Sequence, residues 1–170
     1  MSTRGAYGFK INKEIKMIMS PYDSYPGGLG ADIIKFIQSV DLNRLTEKVK
    51  TLQSIPQSLI RKNELAEKEI WQKPEQVLQG IYTGTVQSFF DAQGFLEDYL
   101  FCEYSYIINL DTKELECYEA GDCLSIGTYP LNNLSDKTID SMIKLIDKNA
   151  ESKANLLGYP HQGPKKKKKK

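Results

Sequence analysis

The amino-acid sequence predicts an α+β fold in which helices pack on a mostly antiparallel sheet. Its strand-like segments come in two groups, at residues 5–19 and 101–129, and helix-like segments lie between and after them. A length of 170 residues with 40% hydrophobic residues suits one domain with a substantial core. We expect a single globular domain over residues 1–157 and a flexible tail over residues 158–170.

An N-terminal hairpin is the first expected element. Two apolar stretches, residues 5–11 and 15–19, are split by Asn12-Lys13-Glu14, which is the pattern of two antiparallel strands joined by a turn. Apolar residues then recur at helical spacing over residues 31–40. This spacing predicts a helix directly after a glycine-rich loop at residues 23–30.

The middle of the chain gives mixed signals. Helical spacing resumes over residues 42–52 after a break at Asp41, and residues 57–71 look helical but strongly charged, as a surface helix would be. Residues 78–85 suggest a strand weakened by its glycines. Residues 86–100 fit either a short helix or a strand with a loop.

The clearest strand signal is the stretch from residue 101 to residue 120. Alternate residues there share one face: Cys102, Tyr104, Tyr106, Ile108 and Leu110. A two-residue loop at Thr112-Lys113 would turn the chain back and place Leu115 opposite Leu110.

The C-terminal part predicts one more strand and a long helix. Residues 123–129 have strand composition, and Ser135 is a good N-cap. The helix that Ser135 opens has the apolar stripe Ile139, Met142, Ile143 and Ile146.

Charge and hydropathy argue against several classes of function. Six of the 23 basic residues form the run 165–170, so the rest of the chain has 17 basic and 22 acidic residues, a net charge of −5. An acidic body argues against extended nucleic-acid binding, and the lysine run suggests an added tag or a solvated tail. No apolar run approaches the roughly 18 residues that span a bilayer, and no signal-peptide pattern opens the sequence. We therefore expect a cytoplasmic protein without membrane contact.

Histidine and cysteine chemistry is limited in this sequence. The sole histidine, His161, lies in the tail, so a Ser-His-Asp or Cys-His triad fits poorly. Three cysteines, at 102, 117 and 123, without a Cys-x-x-Cys pair predict free thiols packed as apolar groups. The glycine motifs of standard nucleotide-binding folds are absent as well. We expect no metal and no cofactor.

The glycine-rich loop DSYPGGLG at residues 23–30 is the strongest candidate site. A helix is expected to follow it directly, and the N–H groups at a helix start attract anions. Asp23 and Ser24 can close a side-chain turn, and Gly27-Gly28 can adopt the positive φ of a type II turn. Arg4 could hold a phosphate or carboxylate bidentately. The predicted ligand-binding residues are Arg4, Asp23, Ser24, Tyr25, Gly27, Gly28 and Gly30.

Two observations qualify this site. A plain turn would also use these residues, and Asp32 in the first helical turn would repel a phosphate. Tyrosines near the loop and the hairpin offer rings for stacking on a nucleobase, with a position at the edge of the core as the alternative. These residues are Tyr7, Tyr22, Tyr25, Tyr104, Tyr106 and Tyr118.

A nucleophile that needs no histidine is also present. If Met1 is removed, Ser2 becomes the N-terminal residue and its α-amine can act as the base. Ser2 is therefore the candidate catalytic residue, and an ordinary start residue is the alternative.

Several blocks resemble one group of viral proteins. The segments TRG-x-x-GF at residues 3–9 and DSYP-x-GLG at residues 23–30 are similar to the opening of uncharacterised proteins from phages, prophages and large DNA viruses. Cys102-Glu103-Tyr104 and residues 107–111 are similar to that group as well. The group often has Asn-His where this chain has Ser20-Pro21-Tyr22, so no histidine-dependent role carries over. The resemblance implies a viral or prophage setting, where small proteins often act on host defence or host metabolism.

These observations favour a phage-type small-ligand-binding protein in the host cytoplasm. Its expected ligand is a nucleotide or another anionic metabolite, and a counter-defence role follows from the setting alone. The alternative is an N-terminal-nucleophile hydrolase that uses Ser2. A third hypothesis is a protein–protein inhibitor whose exposed tyrosines contact a host enzyme. Whether the protein is an enzyme and whether it forms a homo-oligomer stay open.

Overall fold

A five-stranded mixed sheet forms the centre of the protein. The computed structural model describes residues 3–62 and 72–158. Its strands are β1 Gly5–Ile11, β2 Glu14–Ser20, β3 Gln53–Ile55, β4 Ser88–Phe90, β5 Tyr104–Asn109, β6 Glu114–Glu119 and β7 Leu124–Pro130. The main sheet has the order β2-β1-β5-β6-β7, and β3 and β4 form a separate parallel pair. In the main sheet β1 and β5 are parallel and the other neighbours are antiparallel, which confirms the predicted α+β fold and its mostly antiparallel sheet.

Four α-helices among the described residues accompany this sheet. They are α1 Ala31–Ser39, α2 Leu42–Thr51, α3 Pro74–Thr83 and α4 Asp136–Leu156. Within the described ranges, none of these helices combines the length and the apolar character that a membrane span requires.

The two faces of the main sheet are buried under different segments. The main core joins one face to the helices through residues such as Tyr7, Phe9, Tyr106, Ile108, Ile33, Leu45 and Leu78. The smaller core on the other face contains Ala6, Met17, Ile107, Leu96 and Cys102. Cys102 thus lies outside the face on which the alternation placed it, because β5 begins only at Tyr104.

Capping side chains set two of the predicted helix starts. Asp41 is the N-cap of α2, and its Oδ1 accepts a hydrogen bond from the Arg44 amide at 2.8 Å. Ser135 caps α4 and forms a capping box with Thr138. These starts and the hairpin of β1 and β2 are confirmed.

Residues 78–85 do not form the predicted strand. They belong to α3 and the turn after it, and the reason lies in how the helix begins and ends. Pro74 suits the first helical turn, where its missing N–H costs nothing, and Gly84 ends the helix with a φ of 87° while its amide donates to the Gly80 carbonyl. A Cβ at Gly80 would come within 2.5 Å of Val86. Gly80 therefore allows close packing against Val86, and Gly84 caps the end of the helix.

The hairpin between β5 and β6 has a longer loop than the predicted two residues. Leu115 pairs with Ile108 instead of Leu110, so four residues connect the strands. Asn109 causes this, because its Oδ1 accepts a hydrogen bond from the Asp111 amide and folds the loop back. The register moves by two residues, so the same side chains still face the main core.

Two further predictions are met only in part. Residues Gln57–Lys62 of the expected surface helix form a 3₁₀ helix, and residues 63–71 lie outside the described residues. Residues 86–100 contain both expected forms, since β4 is followed by a 3₁₀ helix at Gln93–Glu97. Of the expected tail, residues 159–170 also lie outside the described residues.

Candidate functional site

The glycine-rich loop forms one wide helical turn that runs straight into α1. Residues Pro26–Gly30 adopt a turn of π-helix. Amides within it donate to nearby carbonyls: Gly28 to Tyr25 at 2.9 Å, Leu29 to Asp23 at 2.8 Å and Gly30 to Tyr25 at 3.4 Å. These three N–H groups are therefore already engaged by the chain itself.

Close packing, rather than a type II turn, explains the loop glycines. Positive φ falls on Asp23, at 53°, and not on Gly27 or Gly28. A Cβ at Gly28 would lie 2.2 Å from the Asp23 carbonyl oxygen, whereas a Cβ at Gly27 would meet nothing closer than 3.8 Å. A Cβ at Gly30 would lie 3.3 Å from the Tyr106 ring. The type II turn prediction is wrong, because Gly28 and Gly30 serve close approach and not left-handed backbone.

Ser24 anchors the loop to the sheet. It is fully buried, and its carbonyl oxygen accepts a hydrogen bond from the Tyr106 hydroxyl at 2.8 Å. Its amide donates to the Thr3 carbonyl at 3.3 Å, and the missing side chain of Gly5 leaves room for its Cβ. Its Oγ has no hydrogen-bond partner among the described residues. The backbone groups of Ser24 therefore have a structural role, while its buried hydroxyl has none that the described contacts show.

Arg4 is directed away from this loop. Its guanidinium lies over the Phe101 ring, 5.2 Å from the centroid, in a cation–π contact. The next residue, Gly5, faces Ser24, and neighbouring residues of an extended chain face opposite sides. The structure therefore keeps the loop residues together but places the Arg4 side chain on the other face of the sheet.

The start of α1 has an acidic environment. Asp32 lies in the first turn, and burial together with the neighbouring Glu75 carboxylate raises the pKa of Asp32. Two carboxyl groups at this helix end disfavour a bound phosphate. Of the predicted loop residues, Asp23, Tyr25 and Gly27 are the exposed ones.

Nucleophilic chemistry finds little support in the described residues. Ser2 lies outside them. Burial raises the pKa of the Cys102 thiol to about 12 and raises that of Cys117 still further, so neither is an activated nucleophile. Cys123 is exposed, which differs from the expected packing, and partial desolvation of its thiol together with the neighbouring Asp122 carboxylate raises its pKa.

A cavity of about 420 Å³ opens beside β2, at the edge of the main sheet. Its walls come from β2, β4, α3 and the turns around them. The apolar lining consists mainly of Ile18, Met19, Val77, Val86, Phe89 and Phe90. The polar lining consists of Gln57, Gln72, Gln76, Thr85, Gln87 and Ser88.

The described part of the lining of this cavity is neutral. None of the described residues that line it is charged. Apolar walls with a few polar groups, in a volume of roughly 300–1,000 Å³, are typical of small-molecule sites. Each glutamine amide offers both donors and an acceptor, so the cavity can match a ligand that carries both.

A second cavity of about 440 Å³ shares residues 86–88 with the first. It is lined by Thr51, Gln53 and Gly84 among others, and Lys48 is its one charged residue within the described part of the chain. A single ammonium group in a polar recess is suited to an anionic group.

Sequence reasoning missed both cavities because residues 78–85 were predicted to be a strand. The helix α3 supplies Gln76 and Val77 to the first cavity, and the turn after it supplies Thr85. Pro74 and Gly84, placed at the two ends of an apolar segment, were the signal that predicts a helix there.

The tyrosines divide between core and surface. Tyr7 and Tyr106 are fully buried, so the core interpretation is confirmed for these two. Tyr22 and Tyr25 remain 41% and 44% exposed. None of the six tyrosines near the loop or the hairpin lines either cavity.

Comparison with known proteins identifies no relative of this chain. No protein-family model, curated protein or solved structure matches this chain. The geometry of the described residues is therefore the basis for a functional proposal.

Proposed function

We propose that the protein binds a small uncharged ligand of the nucleobase or nucleoside class in the glutamine-lined cavity beside β2. One observation carries the proposal. Two phenylalanines and four glutamines bound a volume of about 420 Å³, and none of the described residues that line it is charged.

Ligand chemistry follows from these side chains. A carboxamide can pair with the donor and acceptor of a base edge, as glutamine does with adenine. Phe90 offers a half-buried aromatic ring on which a base can stack, whereas Phe89 is buried in the main core. A phosphate would find no cation among the described residues of this lining, so the neutral part of the expected nucleotide is the part that fits.

Calorimetry with the four common ribonucleosides tests the proposal. We expect one of them to bind with an affinity that changes little with salt, because the ligand carries no charge. Gln76→Ala should weaken binding about 2- to 10-fold, the range of one neutral hydrogen bond.

The matched control for this experiment is Gln79→Ala. Gln79 is exposed on the same helix and does not line the cavity, so its loss should leave the affinity unchanged. Equal effects of the two variants, or no binding of any nucleoside, would contradict the proposal.

A ligand that also carries phosphate is a second candidate, favoured by Lys48 in the neighbouring cavity. In that case a nucleotide binds more tightly than its nucleoside, and added salt reduces the difference. Lys48→Met should abolish the difference, while Lys50→Met on the same helix should preserve it.

The viral or prophage resemblance suggests a use for such a cavity. Sequestering a nucleotide-derived signal in the host cytoplasm would serve counter-defence, and this part of the proposal rests on the resemblance alone. The Ser2 hydrolase stays a prediction. Intact-mass measurement tests it, because a retained Met1 would block the α-amine that must act as the base.

A further inference from the structure

One end of the main sheet presents an exposed apolar segment. Tyr99, Leu100 and Phe101 are consecutive and remain 42%, 53% and 48% exposed. They lie in the turn before β5. Asp98 stabilises this turn, because its carbonyl oxygen accepts hydrogen bonds from the Phe101 and Cys102 amides and its Oδ1 accepts one from the Phe101 amide. Three large apolar side chains in a fixed turn are unusual on a free surface and are typical of a binding site.

A groove runs between this turn and the end of α4. It measures about 670 Å³ and is lined by Glu97, Asp98, Tyr99 and Leu100 on one side and by Leu156, Leu157 and Gly158 on the other. Its charged residues, within the described part of the chain, are the two carboxylates Glu97 and Asp98. The groove therefore combines apolar walls with negative charge.

Further carboxylates extend this negative field. Asp98, Asp122 and Glu103 lie close enough to Cys102 that their charges raise its pKa, after the larger effect of burial. Arg4 lies at the same end of the sheet, with its guanidinium over Phe101. We call the residues 97–103 together with Asp122 and Leu156–Gly158 the 97–103 surface.

We infer that the 97–103 surface docks a basic segment of a partner protein. Arg and Lys side chains match its carboxylates, and their apolar stems match Leu100 and the α4 leucines. The Arg4 guanidinium already occupies one face of the Phe101 ring, and Tyr99 and Leu100 supply further exposed apolar surface for the partner. This interaction is separate from the proposed nucleoside cavity, which lies at the β2 edge.

Fluorescence anisotropy with a short labelled peptide of arginine and leucine tests the inference. The full chain should bind it, and salt should weaken binding. A peptide with glutamate in place of arginine should not bind. Equal binding of the acidic peptide would overturn the inference, because the surface would then act only through its apolar groups.

Paired variants locate the interaction. Glu97→Gln with Leu100→Ser should weaken binding about tenfold. The control, Asp140→Asn with Leu59→Ser, changes an exposed carboxylate and an exposed leucine elsewhere and should stay within about twofold of the unchanged protein. Equal affinities of the two double variants would overturn the inference.

The chain's own lysines at 165–170 could compete with the labelled peptide for the 97–103 surface. The assay is therefore repeated with glutamine at all six positions, and a modest gain in peptide affinity is compatible with the inference. Binding that appears only after this change would overturn it and assign the surface to the chain's own lysines. Self-association that the same change abolishes would also overturn it and assign the surface to a second copy.

Discussion

The hydroxyl of Tyr106 donates a hydrogen bond to the carbonyl oxygen of Ser24 at 2.8 Å, in a part of the protein closed to solvent. This contact joins the middle of β5 to a loop 82 residues earlier in the chain. The same ring packs against Gly30, so one tyrosine fixes both ends of the glycine-rich loop.

Tyr106→Phe should destabilise the protein by about 0.5–1.5 kcal/mol, because the Ser24 carbonyl loses its donor while the ring still fills its place. Urea denaturation measures the free energy of unfolding, and amide exchange should rise most over residues 24–30. The control is Tyr129→Phe, which removes a 2.8 Å bond to the Ile126 carbonyl in β7. If Tyr129→Phe increased exchange in the loop equally, the anchoring role of Tyr106 would be wrong.

Two neighbouring glycines give a sharp test of the loop. Gly28→Ala should cost roughly 1–3 kcal/mol of unfolding free energy, because its Cβ would lie 2.2 Å from the Asp23 carbonyl oxygen. Gly27→Ala should change it by no more than about 0.5 kcal/mol, since Gly27 is exposed and has space. Thermal unfolding of the two variants decides the matter, and similar losses would show that close packing does not explain Gly28.

A buried lysine supports the end of α2. Lys16 is only 5% exposed, and its Nζ donates to the carbonyls of Val49 and Leu52 at 2.7 and 2.8 Å. Lys16→Met would remove this donor from both carbonyls, although the Val49 carbonyl still accepts a hydrogen bond from the Leu52 amide at 3.2 Å, and we expect a loss on the order of 1–3 kcal/mol. Urea denaturation measures this loss.

Lys50→Met is the control for this substitution. Lys50 pairs at 2.9 Å with Glu47 on the surface, so its loss should cost at most about 1 kcal/mol. A loss at Lys50 that equals the loss at Lys16 would contradict the capping role of Lys16.

Local patterns in the sequence predicted the parts of the fold that depend on nearby residues. The hairpin, the helix after the glycine loop and the Ser135 cap each rest on neighbours in the chain. Lys16 shows the limit of such patterns. Its polar side chain in an apolar strand has a partner 33 residues away in α2, and no local spacing reveals that contact.

Local patterns can predict the helix α3, but they do not show which separate segments meet at the candidate cavity. Ile18, Gln57, Gln76 and Phe89 come from four separate segments and meet only after folding. The composition of the glycine loop predicted a ligand site. In the structure, Gly28 and Gly30 instead allow close packing against the Asp23 carbonyl and the Tyr106 ring. The glycine content indicated that this loop needs residues without a side chain. It did not show whether the reason is close packing within the chain or contact with a ligand.

Glu119 should make the protein less stable as the pH rises from acid to neutral. Its side chain is fully buried on β6, and neither carboxylate oxygen has a hydrogen-bond partner among the described residues. Lys153 on α4 lies 3.7 Å away, which is too long for a hydrogen bond. Burial therefore outweighs this attraction and raises the pKa of Glu119 above its ordinary value of 4.5.

The sign follows from proton linkage. A carboxyl whose pKa is raised on folding binds more protons in the native state, so its contribution to stability is full below pH 4.5 and is lost as pH rises through the native pKa. Glu119→Gln should remove this loss and unfold at higher urea than the unchanged protein at pH 7. Lys153→Met removes the attraction and should make the loss larger. Urea midpoints of the three proteins from pH 4 to pH 8 measure both effects, and parallel curves would show that Glu119 does not titrate in this way.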